Sequence, residues 1–506
     1  MDILHNLSIA FKIALDLGNL FWCFIGVLIG TLVGVLPGLG PLATMSLLLP
    51  ITFKLTPVHS IIMLAGIYYG SLYGGSTTAI LLNIPGEAAS MVTCLDGYQM
   101  AKKGRAGAAL GISAIGSFIG GTFGILMLTF FAPPLAAFAL AFGPPEYFAL
   151  IILGLTFIAY LSSGSVIKAL MMASLGLLLG CIGTDLITGS IRFTLGVTGL
   201  TEGLNIAPVV MGLFGISEIM LTIERKLVKR EFFQTTVKDL FPSKEEFSDS
   251  VRPIARGSIL GFLLGVLPGG GTIIASIISY ATEKRFSKHP EKFGTGYIAG
   301  VAGPETANNA ASQGAFIPLL SLGIPGTSVM ALLMGAFLIH GVTPGPLLLE
   351  TKPDLFWGVV GSMYIGNIML LLLNFPLIGI WVKVLKVPYV LLFPIILILC
   401  LIGSYSINNN ILDLFIMIIF GLVGYIMTKF QYPAAPLILA FILGPMLEKT
   451  LGQSLMMSNG SFKIFVSRPI SLTLLSVTIL IFVSPLMLKL LKRKRPGLLL
   501  EGRDES

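Results

Sequence analysis

The chain is 506 residues long, 55% hydrophobic and 11% charged, against roughly 25% charged residues in soluble domains, which excludes a soluble globular protein. Its net charge of +8 comes from basic residues gathered in short loops and at the C-terminus (Lys489, Lys492, Arg493, Lys494, Arg495). That distribution orients a membrane protein and calls for no nucleic acid or other polyanionic partner. Cys23, Cys94, Cys181 and Cys400 lie far apart in apolar sequence without metal-ligand spacing, so they read as packing residues.

From the start, Met1 to Ala10 lacks the basic stretch of a signal peptide, and Ile13 to Val33 is expected as a retained helix. It runs into Gly34-Val-Leu-Pro-Gly-Leu-Gly40. Further apolar segments long enough to cross a bilayer, about 20 residues each, include Leu110 to Phe131, Leu355 to Leu373 and Leu472 to Leu490. Their length fits helices; a membrane barrel would show ten-residue alternation instead. The 59 glycines and 29 prolines suit membrane helices whose neighbours satisfy the freed backbone groups.

A second string, Gly265-Val-Leu-Pro-Gly-Gly-Gly271, repeats the one at residue 34. Other pairs follow in the same order: Leu81-Leu-Asn-Ile-Pro-Gly86 with Ser321-Leu-Gly-Ile-Pro-Gly326, Gly116-Ser117 with Gly361-Ser362, Pro145-Glu-Tyr147 with Pro388-Tyr389, Gly176-Leu177 with Gly421-Leu422, and Ala207-Pro208 with Ala435-Pro436. The chain therefore reads as an internal duplication.

Basic residues then assign the halves to opposite orientations, because cytoplasmic loops collect Lys and Arg. The loop at 97–107 carries Lys102, Lys103 and Arg105, whereas its counterpart at 341–354 carries Lys352 alone. The loop at 53–59 has Lys54, and its counterpart at 283–293 has Lys284, Arg285, Lys288 and Lys292. The loop at 132–145 has none, and its counterpart at 377–388 has Lys383 and Lys386. The segment 449–469 is placed outside despite Lys449, Lys463 and Arg468.

The expected fold is an all-α, polytopic membrane helix bundle of two inverted-topology repeats, with Pro-Gly-interrupted helices or re-entrant hairpins and roughly 12 to 15 membrane segments. Residues 1–223 form the first repeat and 224–256 a basic cytoplasmic connector with eight Lys and Arg. Residues 257–450 form the second repeat, and 451–506 a terminal helix with a basic tail. This places the N-terminus outside and the C-terminus in the cytoplasm.

Matched breaks in two inverted halves point to a transport site near the bilayer midplane. A helix beginning at a break offers N–H groups and partial positive charge to a carboxylate, and the preceding half-helix offers carbonyls to a cation. In the first half, Ser76, Thr77 and Thr78 lead to Asn83 and Gly86; in the second, Glu305, Asn308, Asn309, Ser312 and Gln313 lead to Gly326, Thr327 and Ser328. Donors of these kinds recognise carboxylates without a positive side chain. Thr327 and Ser328 sit where N-cap hydroxyls are favoured. Glu305 is the expected coupling-ion residue; its structural alternative is a helix cap at the membrane surface after Gly303-Pro304. The Gly-Val-Leu-Pro-Gly strings read equally as tight turns between packed helices. Asp96 reads as part of a cytoplasmic turn, and His340 as structural.

Tyr73-Gly-Gly-Ser-Thr-Thr-Ala-Ile-Leu-Leu-Asn-Ile-Pro-Gly86, Asp96-Gly-Tyr-Gln-Met-Ala-Lys-Lys-Gly104, Gly265-Val-Leu-Pro-Gly-Gly-Gly271, Pro304-Glu-Thr-Ala-Asn-Asn309, Leu322-Gly-Ile-Pro-Gly326 and His340-Gly-Val-Thr-Pro-Gly-Pro346 resemble the large membrane subunit of the tripartite tricarboxylate transporters, the TctA family. The resemblance implies secondary uptake of a di- or tricarboxylate such as citrate across a bacterial inner membrane, driven by a cation gradient. It also implies two partners, a periplasmic solute-binding protein and a small membrane subunit. Na⁺ is favoured as the coupling cation, since Glu305 stands alone where a proton relay would use several carboxylates. No cofactor is expected. A carboxylate channel would require a continuous polar pore, and a membrane-embedded enzyme a nucleophile with its base, a metal set or paired carboxylates; the sequence offers neither a His-Glu-x-x-His string nor a phosphate-binding Gly-Lys-Ser/Thr loop.

Overall fold

The computed structural model describes residues 3–36, 40–161, 165–185, 187–224, 237–385 and 389–493. In chain order the helices are α1 (Ile3–Ala14), α2 (Leu17–Val35), α3 (Gly40–Thr52), α4 (Pro57–Leu82), α5 (Thr93–Lys102), α6 (Ala106–Ala139), α7 (Pro144–Leu161), α8 (Val166–Gly180), α9 (Ile206–Val210) and α10 (Ser217–Glu224). A π-helical turn, Met211–Ile216, joins α9 to α10. After the connector come α11 (Lys244–Val266), α12 (Gly271–Phe286), α13 (Ala299–Gly314), α14 (Phe316–Leu322), α15 (Ser328–Ile339), α16 (Leu348–Thr351), α17 (Pro353–Asn374), α18 (Ile378–Val384), α19 (Tyr389–Asn408), α20 (Ile411–Lys429), α21 (Ala434–Met457), α22 (Ile464–Ser467) and α23 (Pro469–Arg493). Among the described residues, the one β-sheet is a short antiparallel hairpin that pairs Gly183 with Arg192 and Thr184 with Ile191.

Among the described residues, five helices are long and apolar enough to cross a membrane: α2, α6, α17, α20 and α21. The chain is thus a multi-pass membrane protein. The shorter apolar helices include α3 and α15, each of which begins at a Gly or Pro-Gly break. Thirteen residues rise about 20 Å at 1.5 Å per residue, less than the hydrocarbon thickness of about 30 Å. The single helix expected over 13–33 is two helices. Asp16 divides them, because its side chain accepts from Gly18 N–H at 3.0 Å and caps α2. The basic connector expected to end at 256 runs into α11, which begins at Lys244 behind a reciprocal Ser243–Glu246 capping box.

Two helix pairs form the centre, and both are built by glycine spacing. On α2, Cβ atoms at Gly26, Gly30 and Gly34 would fall within 2.6 Å of the carbonyl oxygens of Met63, Ile67 and Ser71 on α4. On α11, Cβ atoms at Gly257, Gly261 and Gly265 would meet the carbonyls of Gly303, Ala307 and Ala311 on α13, again within 2.6 Å. Small residues let the backbones touch and replace side-chain burial with dispersion contact, which drives helix association in lipid. The four helices carry the two Gly-Val-Leu-Pro-Gly strings and the polar stretch around Glu305 into the middle of the bundle.

Ion pairs sort the loops into two groups. Arg105 pairs with Glu246 and Lys429 with Glu224, both partners lying at the connector end. Arg468 pairs with Glu146 at 2.7 Å, and Arg192 with Glu448 through two bonds. The basic Arg468 of segment 449–469 therefore pairs with a carboxylate in the first turn of α7.

Candidate functional site

The two breaks share one backbone geometry. α4 ends at Asn83 in the left-handed conformation (φ 56°, ψ 30°), and α14 ends the same way at Gly323 (φ 70°, ψ 28°). Ile-Pro-Gly follows in each, and the chain re-enters helix through an extended N-cap residue. That residue is Glu87 (φ −143°, ψ 166°) in the first half and Thr327 (φ −142°, ψ 165°) in the second. The other strings match as well. α2 and α11 stop at extended Leu36 and Leu267, and α3 and α12 start at Gly40 (φ 51°) and Gly271 (φ 56°). Those last two positions need glycine, since left-handed φ is costly with a Cβ. Residues 37–39 of the first string lie outside the described residues.

The breaks and strings meet around a cavity of about 660 Å³, within the usual range for small-molecule sites. Its walls include Gly40 to Ala43 at the start of α3, Gly269 to Ile274 at the start of α12, and Gly326, Thr327, Ser328 and Val329 at the start of α15. Tyr68, Glu87, Phe214, Glu218 and Leu439 complete much of the remainder. Gly269 N–H donates to Gly326 C=O at 2.8 Å, which ties the second string to the second break. Thr327 Oγ1 accepts from Met330 N–H at 3.2 Å, the N-cap role its position implied. No Lys, Arg or His lies among the described lining residues. Three helix N-termini, each equivalent to roughly half a positive unit charge, border the cavity, and its wall also carries the carboxyl groups of Glu87 and Glu218.

The remaining sequence-predicted residues fall beside this cavity. Glu305 sits inside α13, fully buried, and is not a surface cap. Its carboxylate accepts from the hydroxyls of Ser76 on α4 and Thr93 on α5, and from Asn308 Nδ2 at 3.4 Å. Asn309 Nδ2 donates to Asn308 Oδ1 at 2.6 Å and to the Glu305 carbonyl at 3.2 Å. Ser312 Oγ donates to the Asn309 carbonyl. Asn309 Oδ1 and Gln313 Oε1 are buried without a hydrogen-bond partner. Thr78 Oγ1 donates to the Val35 carbonyl at 2.6 Å, and Gly86 packs on the Gly34 carbonyl and Gly75. Ser76 and Thr77 line a void of about 10 Å³ beside Ser113 and Asn374, room for about one water. Gly326, Thr327 and Ser328 thus reach the cavity, while Glu305 with Ser76 and Thr93 forms a polar clamp between the two halves of the chain.

Asp96 forms a second clamp. Buried in the first turn of α5, it accepts from the N–H groups of Gly294, Gly296 and Tyr297 at 2.7–3.0 Å and from Tyr280 Oη at 2.8 Å. It therefore organises the loop before α13; Asp96 itself lies in helix α5 and not in the turn read from the sequence. His340 caps the end of α15.

Sequence reasoning missed Glu87, Tyr68 and Gly269 to Thr272 as wall residues. The signal for Glu87 was its place in the repeat, four residues after Asn83 just as Thr327 stands four after Gly323.

Comparison with known proteins agrees with this architecture. Residues 20–439 match the tripartite tricarboxylate transporter TctA family. A protein of Agrobacterium vitis described as an uncharacterized 52.8 kDa protein in the TAR-I ttuC' 3' region is 53% identical over 477 residues, covering 94% of this chain and 95% of that protein. Another from Agrobacterium vitis, an uncharacterized protein in the TAR-II ttuC' 3' region, is 52% identical over 227 residues, 45% of this chain and 94% of its own length. No solved structure matches. The family is one of transporter components and not of enzymes. With residues 20–439 matched, both Pro-Gly breaks and both glycine strings included, the chain belongs to the TctA family of tripartite tricarboxylate transporters.

Proposed function

We propose that this chain moves a small di- or tricarboxylate inward across a bacterial inner membrane by cation-gradient-driven secondary transport, with the cargo seated in the cavity between the two breaks. The observation that carries the reading is the convergence of the α3, α12 and α15 N-termini, from both halves of the chain, on one cavity whose described wall has no cationic side chain. Helix ends and hydroxyls bind a carboxylate through charge-assisted bonds, and being weaker than a buried Arg clamp they also let it leave.

The matched dihedrals at Asn83 and Gly323, Glu87 and Thr327, and Gly40 and Gly271 support a structural repeat, and the exchange of Lys and Arg between corresponding loops supports opposite orientations of its two copies, as alternating access requires. The basic connector and tail then face the cytoplasm. A periplasmic solute-binding protein supplies cargo, and a small membrane subunit completes the complex.

The sequence reading favoured Na⁺ at Glu305. Because Ser76 and Thr93 occupy that carboxylate away from the cavity wall, the coupling group is sought on the wall itself.

The test is equilibrium binding of labelled citrate, malate and succinate to the purified full-length chain in nanodiscs. Thr327→Val removes a hydroxyl from the wall and Gly326→Ala adds a methyl there, where the new Cβ would lie 3.4 Å from Pro268 Cα, an ordinary contact. Weakening of at least tenfold in both variants is expected. Unchanged affinity in both would move the cargo elsewhere.

A further inference from the structure

We propose that Glu87 is the proton-binding group of the cavity, and that each cargo anion binds together with one proton taken up on the Glu87 carboxylate. This rests on the reading that the cargo anion occupies the cavity, and it assigns the coupling cation and its residue.

Glu87 is on the cavity wall. Its backbone begins the turn Ala88–Met91 in a reciprocal capping box with Ser90, and the N–H groups of Ala89 and Ser90 both donate to its carboxylate. Oε1 is buried and has no hydrogen-bond partner. A carboxylate oxygen buried without a donor is expensive as an anion. It becomes more so when a second carboxylate enters the same low-dielectric space, because two nearby carboxylates cannot both stay ionised cheaply. Protonation removes both penalties, since a neutral carboxyl carries no charge.

The repeat supplies an independent argument. Thr327 occupies the equivalent position with the same backbone angles to within a degree. Its Oγ1 accepts from Met330 N–H, which leaves its hydroxyl proton for an acceptor elsewhere. A protonated Glu87 presents the same O–H group from the first half that Thr327 presents from the second. An ionised Glu87 would instead place a charge of the wrong sign opposite it. Among the described residues no group of three or more His, Cys, Asp or Glu could hold a metal, and Oε1 has no hydrogen-bond partner in the resting cavity.

The titratable groups around Glu87 leave the proton on this residue. Tyr68 faces it from α4 and Glu305 from α13, the latter with its oxygens bonded to Ser76 and Thr93. Cys94 on α5 donates to the Ser90 carbonyl. Glu218 of α10 belongs to the same cavity wall and has a partner of its own. The wall residues of α3, α12 and α15 include no ionisable side chain. In the bound state the Glu87 carboxylate has gained a proton from the outer solution; on release inward it returns that proton to the cytoplasm, so Glu87 ends the cycle as it began and a dianion carried with one proton moves one net negative charge inward.

The experiment is proton uptake during cargo binding by the full-length protein in nanodiscs, read with a pH dye in weakly buffered solution at a pH where succinate and malate are fully ionised. The wild type is expected to take up about one proton per anion bound, with affinity falling about tenfold per pH unit on the alkaline side. Glu87→Gln, which keeps a donor at the same place, is expected to bind with no proton uptake and no pH slope. It should exchange internal for external cargo in proteoliposomes while losing accumulation driven by a pH gradient. Glu87→Asp should keep the proton count and controls for folding. Proton uptake or a pH slope that survives in Glu87→Gln overturns the proposal. Thr327→Val separates the two readings, because it should weaken binding equally at every pH with the proton count intact. If Thr327→Val leaves affinity unchanged, the cavity reading falls and takes the role of Glu87 with it.

Discussion

Glu305→Ala tests the clamp at the centre of the bundle. The substitution removes a fully buried carboxylate that accepts from Ser76 and Thr93. Hydrogen bonds to charged groups contribute about 1.5–3 kcal/mol each, so the gross loss is about 3–6 kcal/mol. Ser76 Oγ falls back on the Leu72 carbonyl at 3.1 Å, which leaves Thr93 as the stranded hydroxyl. The relief of no longer desolvating a carboxylate offsets the lost attraction to its donors; what remains is the cost of leaving the Thr93 hydroxyl and Asn308 Nδ2 without an acceptor, about 1–3 kcal/mol each. The net cost is about 2–4 kcal/mol. Glu305→Gln keeps the shape and one acceptor oxygen and costs about 1 kcal/mol. Scaled from smaller domains, Glu305→Ala lowers the apparent Tm in detergent by about 3–8 °C and Glu305→Gln by about 2 °C, both followed by tryptophan fluorescence at a fixed scan rate. If Glu305→Ala melted within about 1 °C of the wild type yet abolished uptake, the clamp would be refuted and Glu305 would return to the role of ion or cargo ligand.

Three further outcomes follow from the same structure. Gly86→Ala should fail to yield folded protein, because its Cβ would stand 2.0 Å from the Gly34 carbonyl and 2.7 Å from Gly75 Cα, whereas Gly326→Ala should fold normally; size-exclusion profiles in detergent separate the two. Asp96→Ala strands the N–H groups of Gly294, Gly296 and Tyr297 and should cost about 3–5 kcal/mol, loosening the loop so that trypsin cuts faster at the exposed Lys288 and Lys292; Asp96→Asn, with one acceptor left, should be intermediate. In the hairpin loop, the Ile187 N–H, then the Thr188 hydroxyl and N–H, and Arg192 hold the Asp185 carboxyl below its ordinary 3.8 against a smaller opposing effect of burial. Because the folded pKa is depressed, this support is present above about pH 3.8 and is lost as pH falls through the lower folded value. Hydrogen exchange at Ile187 and Thr188 should accelerate there, and not near neutral pH.

Much of the membrane architecture was legible because lipid constrains sequence strongly. Apolar length, the scarcity of charge and the paired Gly-Val-Leu-Pro-Gly and Ile-Pro-Gly strings identified a broken-helix membrane protein, and Thr327 could be placed as an N-cap from its position after the break alone. Glu305 was legible as an outlier, a carboxylate in small apolar sequence, but its partners were not. Thr93 and Ser76 lie more than two hundred residues away, and no local pattern ties them to α13. Glu87 was passed over because its neighbours, Pro85-Gly86, drew attention as a break and not as the start of the next turn. The glycine registers at 26, 30 and 34, and at 257, 261 and 265, were readable as packing faces. Which helix each met depended on folding across half the chain. The division at Asp16 was hidden by continuous hydrophobicity on both sides of a single capping side chain.

The most direct test of the account is accumulation of labelled di- and tricarboxylates by proteoliposomes holding this chain, its small membrane subunit and its solute-binding protein, with pH and Na⁺ gradients imposed separately. The account predicts uphill uptake that depends on an imposed gradient, is driven by the pH gradient, and is lost in Thr327→Val. Uptake that merely equilibrates, or that proceeds uphill undiminished in Thr327→Val, would contradict a coupled carrier whose cargo sits between the two breaks.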